Sequence, residues 1–481
     1  MVVVILPWLV LGAMACQTAE AGATSTLPQL FLSLSDARHP RGRMTPRALT
    51  VQRQLNISTP ATSPLAAFNV LGRNHTTVEV FGLGPNGLWR WETDDFQRWR
   101  SQQVLNLAAV GKHCCEAKSI ARDDSTGRYV FLAWQAGYGG HSFVSMDGVH
   151  WNVTTAHIKA HDDANIVHQN GRFVDMQILK QKLPDGRSKR YCDNTGCNER
   201  RVITALVSAD GITFSTVNGS STKNGTNVRE PDNDDPEELE FYRIRPFRIG
   251  GSDRLAAHVL LYAPSPTVLH QVNSTYGIYT LCDKHNRSWC HGPHIRDEWW
   301  ILPQGGDAAA VDTWERPYRD LVHPATPRDV SLMAQPVLTP AFPQQHVWVD
   351  GGQIFTLPQF RLGGLYSYAN AEFSSKEFDS RLVPSLWLNV DARWHRTAET
   401  RIGELCDEGC AAYIMAELYA ADDLDTPLPG YEREHCVHFD VNQVRLPLVW
   451  EHAPTLGAID QVVVRLFFRD ATVFALGAND E

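Results

Sequence analysis

The chain has 481 residues, with 44 basic and 54 acidic side chains and a formal net charge of −10 that is spread without long runs of like charge. This balance argues against nucleic acid and against an anionic membrane surface as partners, so we expect a neutral partner. Its 34 glycines, 27 prolines and 14 tryptophans are typical of a turn-rich and aromatic-rich all-β protein.

The first fifteen residues form an apolar stretch too short to span a bilayer comfortably, ending in the small-x-small pattern Ala13-Met14-Ala15. This pattern predicts a signal peptide within residues 1–21, cleaved after Ala15 or Ala21. An N-terminal core strand or a membrane anchor remains the alternative, because no Lys or Arg precedes the apolar run. No later segment has the ~18 continuous apolar residues of a membrane helix, so we expect a secreted protein without a stable membrane span.

Seven Asn-x-Ser/Thr sequons without a central proline favour the same secretory route. All of them lie before residue 290, which indicates that the last part of the chain is a different module. The expected glycosylation sites are Asn56, Asn74, Asn152, Asn218, Asn224, Asn273 and Asn286.

Closely spaced cysteines predict disulfides in an oxidising compartment. A zinc site is the alternative, but no CxxC is present and the spacings match no common zinc motif, so we expect neither a metal nor a cofactor. The expected pairs are Cys192 with Cys197, Cys282 with Cys290 and Cys410 with Cys436.

Short runs of alternating apolar residues, bounded by Asp-Gly, Asn-Gly and Gly-Gly turns, predict strands along most of the chain. A repeat recurs at the ends of successive strand clusters, in which a hydroxyl residue, an Asp and a later aromatic are regularly spaced. The Asp is expected to accept backbone N–H bonds in a tight turn, with the aromatic packed beneath the next layer. The copies are Thr93–Trp99, Ser145–Trp151, Ser208–Phe214 and a degenerate Asp312–Pro317.

Repeats of about fifty residues that end in this way have the spacing of four-stranded propeller blades. We therefore predict a five-bladed β-propeller over residues 60–372, with blades at 64–104, 112–157, 160–216, 234–320 and 328–372. From residue 373 the repeat stops, and about a hundred residues of strand and turn predict a C-terminal β-sandwich over 373–481. No flexible linker separates the two modules, so we expect them to dock closely.

This pattern resembles the five-bladed propellers of glycoside hydrolase families 32, 43 and 68, especially family 32-like proteins with a C-terminal β-sandwich. The resemblance covers nearly the whole chain after the signal peptide and rests on the order of weak motifs. They are the Ser-x-Asp-Gly-x-x-Trp blade ends, Gly127–Val130, Glu238–Phe247, Trp314–Pro317 and the closing Val464–Phe474. It implies a carbohydrate-active protein acting on oligo- or polysaccharide.

The motifs that carry the catalytic acids of family 32 are absent, so no catalytic residue can be transferred by motif. Such propellers place their acids at the inner strands of successive blades, and glycoside hydrolysis needs two carboxylates flanking the bond. The second, third and fourth predicted blades begin near Glu116, Asp163 and Glu240. We predict Glu240 as general acid, Asp163 as the orienting or base carboxylate and Glu116 as the partner across the bond.

Other side chains are predicted to line the same axial pocket and to bind the sugar: His113, His161, Tyr242, Arg243 and Trp134. The remaining tryptophans, among them Trp299, Trp300, Trp314 and Trp348, are expected to be mostly core. A non-catalytic propeller that binds carbohydrate or protein is the alternative function, and a sialidase is a third.

Overall fold

The computed structural model describes residues 27–48, 52–58, 66–72, 77–84, 87–106, 117–135, 139–158, 165–183, 198–217, 228–232, 235, 239–250, 252, 254–262, 294–317, 337–339, 342–350, 353–393, 412–451, 453–457 and 459–478. These residues contain thirty-two β-strands and no α-helix, with four 3-10 helices of three residues each. The all-β fold class is therefore confirmed for this part of the chain.

The strands before the predicted first blade are β1 (Gln29–Leu30), β2 (Arg38–Arg41), β3 (Thr45–Ala48) and β4 (Gln52–Ser58). The next strands are β5 (Ala66–Gly72), β6 (Val78–Gly84), β7 (Gly87–Thr93), β8 (Arg100–Asn106), β9 (Ala117–Arg122), β10 (Tyr129–Gln135), β11 (Gly139–Ser145), β12 (Asn152–Ile158), β13 (Asn165–Gln169), β14 (Arg172–Lys182), β15 (Glu199–Ser208), β16 (Ser215–Thr216) and β17 (Val228–Arg229). They are followed by β18 (Glu240–Arg248), β19 (Leu255–Tyr262), β20 (His294–Ile301), β21 (Val337–Thr339), β22 (Phe342–Asp350) and β23 (Gln353–Pro358). The last are β24 (Gly363–Ser367), β25 (Ala371–Ser374), β26 (Phe378–Asp379), β27 (Leu386–Ala392), β28 (Tyr413–Ala420), β29 (Val437–Phe439), β30 (Val441–Pro447), β31 (Gln461–Arg469) and β32 (Ala471–Ala478).

Five antiparallel sheets between residues 52 and 358 form the blades of a propeller. Blade I consists of β5–β8, blade II of β9–β12, blade III of β13–β17 and blade IV of β18–β20. Blade V consists of β21–β23 and is completed by β4, which precedes blade I in the sequence. Because one blade combines strands from both ends of this segment, backbone hydrogen bonds join the ends of the ring.

A separate hydrophobic core lies between each pair of neighbouring blades. Full burial of one large apolar side chain contributes ~1.5–3 kcal/mol, so each core is a substantial contribution to stability. Each blade contacts the next one in the order I, II, III, IV and V. Blade V contacts blade I, so the ring is closed. Examples are Phe81 with Phe131 (I–II), Val130 with Phe173 (II–III), Ile203 with Trp300 (III–IV), Trp299 with Phe355 (IV–V) and Phe96 with Ile354 (V–I).

The repeated turns have the predicted hydrogen bonds in all three clear copies. Asp95, Asp147 and Asp210 each accept two backbone N–H bonds at 2.8–2.9 Å from the residues two and three positions later. The blade III turn packs tightly on blade II, where a Cβ on Gly211 would lie 2.1 Å from Val130 Cγ2. This turn therefore also anchors blade III to blade II.

The fourth turn differs from its prediction, because it is built on Asp307 and not on Asp312. The Asp307 carboxylate accepts the N–H of Ala309 at 3.0 Å and pairs with Arg172 of blade III. Asp312 is exposed in a 3-10 helix. The aromatic that packs beneath this turn is Trp314, which is 1% exposed.

Replacing Asp210 with alanine is expected to lower the free energy of unfolding by about 1 kcal/mol, because two backbone N–H groups lose their acceptor. Urea unfolding followed by tryptophan fluorescence measures this loss. Asp312→Ala is the matched control and is expected to leave stability unchanged. Equal losses in both variants would contradict the assignment of the fourth turn to Asp307.

Two six-stranded sheets enclose one further hydrophobic core and form the sandwich. One has the order β3-β24-β32-β27-β30 with β1 beside β32, and the other has the order β2-β25-β31-β28-β29 with β26 beside β31. Side chains of both sheets meet in the core, including Leu365, Phe373, Leu388, Ile414 and Val464.

The predicted domain limits of 60–372 and 373–481 need correction at both ends. The N-terminal strands β1–β3 belong to the sandwich, and β1 pairs with β32 through Gln29 and Leu476. Strand β24 and the start of β25, assigned by prediction to the fifth blade, also lie in the sandwich sheets. The domain limits depend on strand pairing between the two ends of the chain. No local sequence pattern indicates such long-range pairing.

The two modules share a hydrophobic cluster, as expected from the missing linker. Trp299 and Phe355 of the propeller lie in it with Leu30, Trp387 and Ala475 of the sandwich. Asp36, in the segment between β1 and β2, forms a buried ion pair with Arg254 of blade IV, with 2.6 Å between Oδ1 and Nη1.

Cys436 is a free, buried thiol, so the predicted disulfide with Cys410 is not formed in this structure. Its Sγ lies in the sandwich core, 3.8 Å from His438 Nε2, and burial raises the thiol pKa to about 12. Residues 1–21 and the other predicted disulfide cysteines, Cys192, Cys197, Cys282, Cys290 and Cys410, lie outside the described residues.

Candidate functional site

The first strands of blades II, III and IV lie side by side in the ring. β9 contacts β13, and β13 contacts β18. The Ile166 N–H donates a hydrogen bond to Ser119 Oγ at 3.0 Å, which joins β9 and β13 close to their first residues. The beginnings of β9 and β13 therefore lie close together.

Four of the predicted site residues, Glu116, Asp163, His113 and His161, lie outside the described residues. Their neighbours in the chain are nevertheless defined. β9 begins directly after Glu116, and β13 begins two residues after Asp163. The backbone of Trp134 lies in β10, opposite Ala117 of β9 and Gly140 of β11.

Glu240 is the first residue of β18 and is 0% exposed. Its Oε2 accepts a hydrogen bond from Arg201 Nη1 at 2.7 Å. Arg201 belongs to β15 in blade III and is 3% exposed, so a buried ion pair joins blades III and IV beside the beginning of β18. Solvent screens such a pair much less than a surface pair.

Regular alternation along β18 would place Glu240, Tyr242 and Ile244 on one face, but β18 contains an irregularity between Phe241 and Arg243. An extra residue at a bulge shifts the alternation of side chains. Phe241 and Ile244 consequently share the core between blades III and IV. Tyr242 is half-buried, with its ring centroid 5.3 Å from the Arg201 guanidinium carbon, and the half-buried Arg243 lies opposite Leu260.

Asp175 is a buried carboxylate at this site that sequence reasoning missed. It is 0% exposed in β14, accepts the N–H of Asn165 at 3.0 Å and is also bonded to the Gln177 amide. Asn165 is the first residue of β13, so Asp175 lies directly behind the beginning of the blade III inner strand. The sequence feature that could have identified Asp175 is its position as a charged residue inside the apolar run Phe173-Val174-Asp175-Met176.

Arg201, the other missed residue, had a comparable signal. Arg201 directly precedes the mainly apolar strand residues 202–207. Because this strand is buried, an arginine at its beginning lies in the protein interior. A buried arginine in such a strand requires a carboxylate partner, and Glu240 supplies it from the neighbouring blade.

The described parts of the chain contain no group of three His, Cys, Asp or Glu side chains able to hold a metal ion. Nor do they include a helix with the length and apolar character needed to cross a bilayer.

Among the sequons, Asn152 is exposed at the start of β12, the edge strand of blade II. Asn56 lies in β4, and the others, Asn74, Asn218, Asn224, Asn273 and Asn286, fall outside the described residues.

No protein-family profile and no curated protein matches this chain. Solved structures with a similar course of the chain include a glycoside hydrolase family 32 beta-fructofuranosidase from Bombyx mori, with 10% identity over 88% of this chain and 92% of the other, at a TM-score of 0.34. An endo-arabinase from Bacteroides thetaiotaomicron has 9% identity over 54% of this chain and 82% of the other, at a TM-score of 0.31.

An alpha-L-arabinofuranosidase from Podospora anserina has 8% identity over 66% of this chain and 98% of the other, at a TM-score of 0.31. These similarities concern the fold alone. The function of this chain therefore has to be argued from its own residues.

Proposed function

We propose that this protein is a secreted glycoside hydrolase acting on oligo- or polysaccharide, with its acids at the beginnings of three neighbouring inner strands. One observation carries the proposal: β9, β13 and β18 lie side by side, and Glu116, Asp163 and Glu240 stand at or just before their first residues. Hydrolysis of a glycosidic bond needs carboxyl groups on both sides of the bond, separated by ~5 to 10 Å. Adjacent inner strands offer that spacing.

In the proposed reaction Glu240 donates a proton to the leaving oxygen of the scissile bond. Glu116, across the bond, attacks the anomeric carbon or activates water, and Asp163 orients the sugar or acts as base. Arg201 contacts Glu240 through Oε2, and in this proposal Glu240 takes up a proton before it protonates the leaving oxygen. Tyr242 and Arg243, together with His113, His161 and Trp134, are proposed to contact the sugar.

Secretion and N-glycosylation belong to the same proposal. The apolar N-terminal stretch and the seven sequons support them. The exposed position of Asn152 on an edge strand is compatible with an attached glycan. A secreted enzyme of this kind would meet its polysaccharide outside the cell.

The test is hydrolysis by the full chain, measured with aryl glycosides of arabinofuranose, xylose, mannose and galactose and by reducing-sugar release from sucrose and inulin. Glu116→Gln, Asp163→Asn and Glu240→Gln are each expected to lower kcat by about 10²–10⁴-fold, because each variant removes a group that transfers a proton or attacks. The far-UV circular dichroism of each variant should match that of the parent.

Glu79→Gln is the matched control. Glu79 is also a fully buried glutamate paired with an arginine, Arg90, but it lies on the second strand of blade I. Its replacement should cost stability without lowering kcat. Full activity in Glu240→Gln, or an equal loss in Glu79→Gln, would contradict the catalytic assignment of Glu240.

A non-catalytic carbohydrate-binding propeller is the second candidate. The complete burial of Glu240 and its pairing with Arg201 favour it, because a general acid has to reach the bond that it protonates. This candidate predicts that the parent hydrolyses none of the substrates. It also predicts that glycan binding persists in the Asp163→Asn, Glu240→Gln double variant.

A further inference from the structure

The outward side of the β2-β25-β31-β28-β29 sheet of the sandwich carries an ordered row of side chains. The backbone register places Arg41, Glu372, Phe467, Met415 and Val437 opposite one another on the five consecutive strands. We call this side of the sheet the outer face. Its row runs from a charged pair at one edge to apolar side chains at the other.

An open cavity of about 850 Å³ lies over this row. Two aromatic side chains stand beside it: Tyr413, whose hydroxyl donates to Asn370 Oδ1 at 3.1 Å, and Phe439, which is 57% exposed. The solvent side of an antiparallel sheet is ordinarily polar, and exposed apolar groups that cluster there mark a binding surface. The outer face therefore differs from a surface that only has to remain soluble.

The charges of the cavity lining cancel in pairs. Arg41 Nη1 lies 3.3 Å from Glu372 Oε1, and Arg433 Nε lies 3.2 Å from Glu434 Oε1. The lining contains these two arginines and two glutamates as its charged groups. Such a surface has no net field to attract nucleic acid, an anionic lipid surface or a charged peptide.

The two arginine–glutamate pairs also place planar hydrogen-bonding groups, the guanidinium donors and the carboxylate acceptors, beside aromatic rings. The Arg433 guanidinium lies over the Phe467 ring, 4.9 Å from its centroid. A neutral sugar ring offers the complementary chemistry, an apolar face for an aromatic ring and an edge of hydroxyl groups for arginine, carboxylate and amide. The exposed rings and the cancelled charges of this face both suit a neutral sugar.

We propose that the outer face of the sandwich binds a neutral oligosaccharide, at a site separate from the propeller. Phe439 and Tyr413 supply the stacking surface, and Arg41, Glu372 and Arg433 supply the hydrogen bonds to hydroxyl groups. This site does not depend on the proposed hydrolytic activity, because it shares no residue with the beginnings of the inner strands.

The experiment uses the full chain with cello-, xylo-, manno- and fructo-oligosaccharides as probes, in saturation-transfer NMR followed by calorimetric titration. At least one probe is expected to bind, and Phe439→Ala is expected to weaken its binding by about tenfold through loss of a stacked ring. Tyr368→Ala is the control, because Tyr368 is 43% exposed but does not line the cavity. It should bind as the parent does.

Binding that persists in Glu240→Gln and falls in Phe439→Ala supports the site whether or not the protein is a hydrolase. Four outcomes would overturn the proposal: no binding of any probe, binding unaffected by Phe439→Ala, equal loss in Tyr368→Ala, or preferential binding of polygalacturonate or single-stranded DNA. Dimerisation that is abolished by Phe439→Ala, without sugar binding, would instead assign the face to a second copy of this chain.

Discussion

Replacing Arg316 with methionine is expected to lower the free energy of unfolding by about 3–5 kcal/mol, because it leaves two buried carboxylates without their cation. The Arg316 side chain is 2% exposed, as is that of Glu298, and the Asp235 side chain is 3% exposed. Arg316 donates to both Glu298 oxygens, at 2.8 Å and 3.0 Å, and to Asp235 Oδ2. These two carboxylates raise the pKa of Arg316 even though burial opposes its charge.

Packing adds to this cost. The guanidinium carbon lies 5.3 Å from the Phe241 ring centroid and 5.4 Å from that of Trp300, so the planar group also fills a space between two aromatic rings. Methionine keeps much of the volume but supplies neither charge nor donors. The predicted loss is therefore mainly electrostatic and not the result of a cavity.

The measurement is urea unfolding of the full chain at neutral pH, followed by tryptophan fluorescence. Arg381→Met is the control: Arg381 also pairs with a carboxylate, that of Asp379, but its side chain is 87% exposed, and its replacement should leave stability unchanged. The double variant Arg316→Met, Glu298→Met should lose less than the sum of the single losses, because one of the buried charges is removed with its partner. An unfolding midpoint for Arg316→Met equal to that of the parent would rule out this account.

The features that were predicted correctly are those whose hydrogen bonds are local. Asp95, Asp147 and Asp210 bond to backbone groups two and three residues away, so the residue types report the turn directly. The fourth turn escaped detection because the residue two positions before Asp307 is Gly305 and not a hydroxyl residue. Its aromatic, Trp314, also follows at a longer interval than in the other copies.

The domain limits and the site depend on pairings that are distant in the sequence. Arg201 and Glu240 are 39 positions apart and belong to different blades. The irregularity after Phe241 then changes which side chains share a face. Alternation of apolar residues could locate the β18 strand, but neither the bulge nor the partner of Glu240 follows from that pattern.

The junction between propeller and sandwich contains a histidine that should make stability depend on pH. His346 of β22 is 2% exposed, and its Nε2 accepts the N–H of Phe360 at 3.2 Å. The Phe360 ring stacks on Trp387 of the sandwich, with 5.8 Å between the centroids. The imidazole acceptor therefore helps to hold the segment that leads from one module to the other.

Burial lowers the pKa of His346 to about 4, whereas the unfolded chain should have the ordinary histidine value of about 6.5. Above pH ~6.5 both states are neutral at this site, and the stability it contributes is fully present. As the pH falls from ~6.5 to ~4, only the unfolded state takes up the proton, so the free energy of unfolding decreases. Below pH ~4 the folded state is protonated as well, and the total loss levels off at about 3 kcal/mol.

We therefore expect the parent to lose more stability between pH 7 and pH 4.5 than His346→Gln does, by about 2–3 kcal/mol. Glutamine retains an oxygen that can accept the Phe360 N–H, but it has no group that titrates in this range. Urea midpoints are measured for both proteins at each pH. The difference between the two proteins at one pH removes the contribution of the other titrating groups. Parallel stability curves for the two proteins would mean that the His346 imidazole is protonated equally in the folded and unfolded chain, and that this junction does not respond to pH.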